Sequence, residues 1–510
     1  AAIFRSNGAF AGTPWGGGLQ PVHYLARREA DRWVTQALVG RPQNNPAQIT
    51  SFRSVRPDFG AVLLDAADSL LPEDPPDQPA GGLYLRDTVS RALTRLVVGA
   101  TASQPPFKWS RDGRHVTLTS TSNLTGAPGV PAGAKAFEIF NGQLRQVSIL
   151  PGEVPAAGQV GSFGTGASAR SLSNAVSADG SHIFFTSPLG SGSTLGTTPT
   201  TRQAIYRRTN GATSVLATPS KRTDCAGDPT CGGNAVPDPA PDPLPGGKKY
   251  ETATPDGNRV FFTSPELLTD DANTGAARTT AAPRDLYRYD FQQDELVAIS
   301  AETNDADGAQ VQGVVGTSDD GDWVYYVALG QVVAGQGTLG QPNLYRWHDD
   351  GSADGDTRFI ATLLPRVSSL DLRDEPNWLW SDTKTTRLTP DGQRLLFQSL
   401  NTIPGHDNGG FSQGYLYDEQ ANAGAGGIEC VSCNPDGDPP AGPSDLGQVN
   451  GTGVDDPDDF ARNLTTNGRR VFFTSADALV DRDTNGQLDA YMWEDGELSL
   501  LSSGKSTGPS

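Results

Sequence analysis

Ser110-Arg111-Asp112-Gly113, then after one residue the apolar run 115–119, is a phrase that this chain repeats. It returns as Ser177-Ala178-Asp179-Gly180 before 182–186 and as Thr254-Pro255-Asp256-Gly257 before 259–263. Asp320-Gly321 precedes 323–327, Asp391-Gly392 precedes 394–398, and Asn467-Gly468 precedes 470–474. A looser copy, Asp58-Phe59-Gly60, stands before 61–64. Successive copies are 54 to 77 residues apart. A period of this length marks a repeat architecture before any single residue is weighed. The pair itself has a plain local cause: Gly accepts positive φ and Asp hydrogen-bonds the backbone that follows, so the two close a tight hairpin. Seven copies of one turn residue are architecture, not catalysis.

Each phrase opens a longer unit. A short strand precedes it, as in 250–254 and 461–466, and the apolar run follows. A variable loop leads to a Tyr-containing strand (82–86, 204–208, 285–290, 343–347, 414–418 and 489–493), with Phe137 replacing Tyr in 136–140. A tight turn and a fourth strand complete the unit. Four such strands read as a small antiparallel meander. One such sheet cannot bury both faces, so copies must stack, and the closed solution is a β-propeller. The fold class is therefore all-β, a propeller of four-stranded antiparallel blades. An N-terminal Tyr strand (22–28) and its partner (33–39) add an incomplete blade without an innermost strand. The count is eight, with seven blades and a separate N-terminal segment as the alternative. The blades are expected near 1–49, 50–103, 104–165, 166–245, 246–305, 306–370, 371–455 and 456–510, forming a single propeller. The missing strand would come from elsewhere, or the chain is an excerpt of a longer one.

Composition agrees. The 510 residues include 60 Gly and 38 Pro, with 36% apolar content, which suits short strands and many turns. A net charge of -20 excludes the basic footprint that nucleic-acid binding needs. No run of about 18 apolar residues offers a membrane span. The four cysteines form two close pairs, Cys225 with Cys231 and Cys430 with Cys433. Two local disulfides in an oxidising compartment are the plain reading; a four-cysteine zinc site would need the two loops to meet.

The Ser-x-Asp-Gly turn, the apolar run ending in Phe-x-Ser or Phe-Thr-Ser, and the later Asp-x-Tyr strand together resemble the WD40-like (PD40) repeat of TolB-type propellers. The closest variant is frequent in large secreted bacterial proteins. The resemblance implies a secreted, cell-surface or periplasmic propeller that binds or scaffolds, with enzymes a minority, and it carries over no catalytic residue.

The sharpest local signal is Asp481-Arg482-Asp483-Thr484-Asn485-Gly486-Gln487-Leu488-Asp489. Oxygen ligands at Asp481, Asp483, Asn485 and Asp489, with the Gln487 carbonyl, match the start of a Ca²⁺ loop. The Glu of an EF-hand is missing, because Met492 stands in its place. Asp271, Asn273 and Asp285 form a weaker echo. A solvated acidic turn is the alternative. Trp378 and Trp380 are the candidate contact for a protein or glycan, or else they cover the end of the core. Propeller geometry puts the tight turns on one face and the insertions 218–249, 364–383 and 434–460 on the other, where function is expected. An open blade edge also invites self-assembly by strand addition. The five histidines are scattered, and His115 and His182 share one repeat position, which marks them as structural. No nucleophile elbow, zincin motif or phosphate loop appears. The competing class is an extracellular hydrolase or lyase with its site in the channel. Converging acids or histidines would favour that class, and small apolar residues would favour the scaffold.

Overall fold

The computed structural model describes residues 2–6, 22–30, 32–38, 50–66, 70–71, 82–98, 103–126, 132–163, 170–188, 203–223, 248–264, 266–272, 284–302, 304, 308–368, 371–378, 384–447 and 463–506. Among the described residues eight antiparallel sheets of three or more strands follow one another along the chain, the first with three strands and the others with four. Two two-stranded sheets accompany them, Ile149–Leu150 with Val154–Pro155 and Ser162–Phe163 with Arg170–Ser171. We call the eight blades 1 to 8. Blade 1 pairs Ala2–Ser6, Val22–Glu29 and Arg32–Ala37. Blade 6, a complete example, runs Val311–Thr317, Trp323–Ala328, Asn343–His348 and Asp356–Thr362 in chain order. The incomplete first blade is as the repeat predicts.

Two blades differ from that simple order because insertions interrupt their innermost strands. In blade 4, Val176 bridges Ile183, while Gln159–Val160 supplies the rest of the edge by pairing with Thr186 and Phe185. In blade 8, Leu464 bridges Val471, and Ser444–Asp445 pairs with Ser475 and Thr474. The strand expected over 461–466 is thus reduced to a single bridge. Inner edges of these blades begin at Gln159 and Ser444, upstream of the expected 166 and 456.

The cause of each blade lies in three recurring contacts. The first is the turn. In blade 6 the Ser318 hydroxyl donates to Asp320 Oδ1, which also accepts from the Asp322 N–H at 3.0 Å. The same hydroxyl accepts from Trp323 N–H at 2.9 Å. Thr254 with Asp256, Thr389 with Asp391, and Thr465 with Asn467 repeat the arrangement. Asp therefore binds the following backbone as expected, and the hydroxyl two residues earlier is its partner.

The second contact is the tyrosine. Phe262 faces Tyr287, Phe397 faces Tyr415 and Phe473 faces Tyr491 across neighbouring strands, with ring centroids 5.5–5.7 Å apart. Such cross-strand aromatic pairs each add about 0.5–1.5 kcal/mol beyond area burial. The buried phenol also holds the loop before it: Tyr287 accepts from Leu268 N–H, Tyr491 from Leu479 N–H and Tyr84 from Leu70 N–H, all at 3.3 Å. One residue thus fills the core and anchors the insertion.

The third is a latch at the end of the fourth strand. Ser300 accepts from Leu286 N–H and donates to Asp285. Ser432 does the same with Gly414 and Gln413, and Ser502 with Ala490 and Asp489.

Neighbouring blades are joined at their turns. Asp112 N–H donates to Ala178 O, Ala178 N–H to Pro255 O, and Asp319 N–H to Pro390 O. Four turn glycines, Gly180, Gly257, Gly392 and Gly468, lie against the first residue of the second strand in the preceding blade. A Cβ on Gly180 would meet His115, one on Gly257 would meet His182, and one on Gly392 would sit 2.5 Å from Trp323 Cβ. His115 and His182 are therefore structural, as their shared repeat position implies; His115 also holds the fully buried Glu138, which Arg145 pairs from the other side. Between blades 6 and 7, buried Arg346 joins Glu419 and Asp356.

Gly392→Ala combines φ +74° with the Trp323 clash and is expected to destabilise by about 2–4 kcal/mol in urea unfolding. Gly486→Ala, at φ +63° with open space around it, should lose only about 1 kcal/mol. Equal losses would remove the glycine's role in blade contact. The turn also sets an acid response. Partial burial pushes Asp179 up, but the Ser181 and Ser177 donors outweigh it and bring it down to about 2, from an ordinary 3.8. A carboxyl depressed in the fold adds stability above its free value, and that stability is lost as pH falls through the folded value. Asp179→Asn, copying Asn467, should match the parent within about 0.5 kcal/mol at pH 7. It should lose less stability between pH 4 and 2 than the parent, as thermal melts would show. A parallel fall in both proteins would rule the turn out as a source of acid sensitivity.

Candidate functional site

The channel where the blades converge holds a cavity of about 440 Å³. Residues from blades 2 to 8 line it. The turn dictates which ones. The x of Ser/Thr-x-Asp-Gly points to the channel mouth in blade after blade: Arg111, Ala178, Asp319, Pro390 and Thr466 are all on the wall, as is Pro57 from the looser copy. Deeper, the innermost strands contribute the residue two places before the turn hydroxyl, which is Lys108 in blade 3, Thr252 in blade 5 and Arg387 in blade 7. Lys384 completes the set, donating to Val314 O across the blade boundary at 2.9 Å.

Charge on this wall runs against the charge of the chain. The described lining carries four cations, Lys108, Arg111, Lys384 and Arg387, and one carboxylate, Asp319. Loss of water at the mouth pushes the Asp319 carboxyl up, and the Arg111 charge opposes that shift. Hydroxyls of Ser173, Thr252, Thr317, Thr386 and Thr465 lie between the charged groups. Neither pattern foreseen for the channel is present: the described wall shows one acid, and it is not simply small and apolar.

The residues singled out from sequence fall elsewhere. In the calcium-like loop of blade 8, Asp483 is 6% exposed and Asp489 is fully buried, while Asp481 lies in solvent. Asp483 Oδ2 accepts the Tyr491 hydroxyl, and burial together with that carboxylate pushes the phenol well up. Asp489 Oδ1 is engaged by the Ser502 latch, and Asn485 Oδ1 accepts from Gln487 N–H at 2.9 Å. Asp483 Oδ1 is buried and accepts no hydrogen bond from the protein. Among the described residues no group of three or more Asp, Glu, His or Cys side chains is arranged as a metal site. In the weaker echo, Asp271 is exposed and Asp285 belongs to a latch; Asn273 lies outside the described residues.

Cys430 and Cys433 are joined in a disulfide with Cα atoms 5.5 Å apart, directly around latch residue Ser432. Cys225 and Cys231 lie outside the described residues. Trp378 is 4% exposed and packs in the core with Tyr325, Leu395 and Phe397, so its ring is core and is not offered to a partner. Trp380 lies outside the described residues, as do 224–247, 379–383 and 448–462, most of the insertion face. No helix in the described residues is long and apolar enough to cross a membrane.

Comparison with solved structures finds likeness of fold. TolB from Acinetobacter baumannii is similar over 66% of this chain at 12% identity, with a TM-score of 0.26, and the chain spans 61% of its length. An oligogalacturonate lyase in complex with manganese is similar over 95% of this chain and 98% of its own, at 12% identity and a TM-score of 0.39. The β-propeller domain of the trilobed protease from Pyrococcus furiosus matches 83% of this chain and 91% of its own, at 10% identity and a TM-score of 0.35. No protein-family model and no curated protein matches the chain. The repeated four-stranded antiparallel sheets make the class that of the β-propellers.

Proposed function

We propose that this chain is an exported binding and scaffolding propeller whose contact site is the channel mouth. One observation carries the reading. Polar side chains that recur with the repeat are engaged within turns, latches and loop anchors, whereas the x positions facing the channel change from blade to blade. A surface that varies on a constant frame is the arrangement of a recognition site. The Cys430–Cys433 bridge supports an oxidising compartment, the cell surface or periplasm of a bacterium. A protein or glycan partner at the insertion face belongs to the same proposal, as does self-assembly through the edge of the three-stranded first blade.

The alternative reading, a hydrolase or lyase in the channel, needs an acid and a base at the reacting bond. Asp319 is the carboxylate on the described wall, so it is the residue to test. Peptide and acidic-glycan panels should show saturable binding to the purified chain without bond cleavage. Turnover that disappears in Asp319→Asn would establish the enzyme instead.

Calcium is proposed as a stabiliser of the blade 8 loop, held by Asp481, Asp483, Asn485, Gln487 and Asp489. Support comes from the buried Asp483 oxygen that accepts no protein donor. An ion there would oppose the repulsion between the two buried carboxylates. Millimolar Ca²⁺ should raise the melting temperature by about 2–4 °C and Asp483→Asn should abolish the rise. An equal rise with Mg²⁺, or none, would remove the ion from the account.

A further inference from the structure

We infer that the channel mouth is a receptor site for a small oxyanion, carboxylate or phosphate, bearing more than one negative charge. The inference rests on the binding role proposed above and names the ligand's chemistry.

The argument begins with excess. A chain with net charge -20 places four cations against one carboxylate around a single cavity. Chance placement on so acidic a protein would favour the opposite sign. The cations are also ordered by the repeat. Lys108 and Arg387 hold the same position, two residues before the turn hydroxyl, in blades 3 and 7. These blades stand four places apart along the chain, and both residues line the one cavity. Lys384 lies three residues before Arg387 and Arg111 three after Lys108, giving one pair from each of the two blades.

Two pairs from separate blades suit a ligand with more than one charged group better than a single point charge. The cavity, about 440 Å³, has room for a tricarboxylate or a pyrophosphate with some of its water. Arginine is suited to bidentate contact with carboxylate or phosphate, and lysine adds a mobile donor. Thr317 adds a neutral hydroxyl to the same wall. Lys108 is 5% exposed, and burial strengthens its field toward a ligand that displaces water. Asp319 sits on the same wall with the wrong sign. It would weaken an anion's binding and set a ceiling on affinity.

Isothermal titration of the whole chain with citrate, pyrophosphate and neutral glucose tests this. Citrate or pyrophosphate should bind at one site with a Kd below about 1 mM, and glucose should not; the stronger of the two identifies carboxylate or phosphate as the source. Arg111→Gln, at an exposed turn position, should weaken binding about tenfold, and Arg111→Gln with Arg387→Gln should abolish it. Asp319→Asn should tighten it about three- to tenfold, a gain that a damaged fold would not produce. Raising salt from 50 to 300 mM should weaken all of it. No heat from either anion at 10 mM, equal binding of glucose, or indifference to all three variants would overturn the site. Failure here with a partner still captured by the panels would leave the binding propeller standing. Anion binding lost in Arg111→Gln alongside turnover that Asp319→Asn removes would support this site and replace the scaffold with an enzyme.

Discussion

A glycine that must lie flat against its neighbour is the constraint from which the rest of this structure follows. In the Ser/Thr-x-Asp-Gly turn, the hydroxyl and the carboxylate close the hairpin within one blade, but the glycine answers to another blade. Its missing side chain lets the turn settle on His115, His182, Trp323 or Arg394 of the blade before. Because Gly180, Gly257, Gly392 and Gly468 make the same contact, the spacing of these blades is set at one end of the sheet. The innermost strands are then brought side by side around a common axis, and the fourth strands splay outward. A cavity lined by seven blades is a consequence of that repeated contact.

The same turn decides where chemistry can sit. Its hydroxyl, its Asp or Asn and its Gly are held by hydrogen bonds and sterics, which narrows what can stand there. The x residue has no such duty and faces the axis. Selection is free to change it, and the chain carries Arg111, Ala178, Asp319, Pro390 and Thr466 at this one position. A repeat protein can in this way build a specific surface from its most regular element. The loops before the third strands are a second place for variation, attached to the frame through the strand-three tyrosines.

The architecture was legible because it rests on period and local chemistry, both of which are linear in the chain. Asp-Gly spacing, the alternation around Tyr287 or Tyr491, and the absence of a turn before Ala2–Ser6 gave the blades and the incomplete first one. What the chain does not write linearly is which side chains meet. Lys108 and Arg387 are 279 positions apart, and they meet only on the wall of the cavity that the blades enclose. A signal was available, since both stand two places before the turn hydroxyl, but it appears only after the repeats are aligned on that hydroxyl. Gln159–Val160 and Ser444–Asp445 were hidden for another reason: an insertion placed within a strand leaves each half too short to show a pattern.

The blade 8 loop shows how a motif read in isolation overstates its case. Asp489 completes the spacing of a calcium loop, and it also occupies the latch position that Asp285 and Gln413 fill in blades 5 and 7. An aspartate that begins the third strand therefore has a structural cause wherever it occurs. Its presence adds little to the odds of an ion. Asp483 is different, because it holds no latch position and is a carboxylate buried beside Tyr491. Burying a charge without a paired cation is unfavourable by several kcal/mol, which is the reason a cation would be drawn to it. The phenol donated to one oxygen satisfies half of that need and leaves the other oxygen as the place where the loop's chemistry is decided. Repeat symmetry serves here as a control: what recurs belongs to the frame, and what departs from it is where function has to be sought.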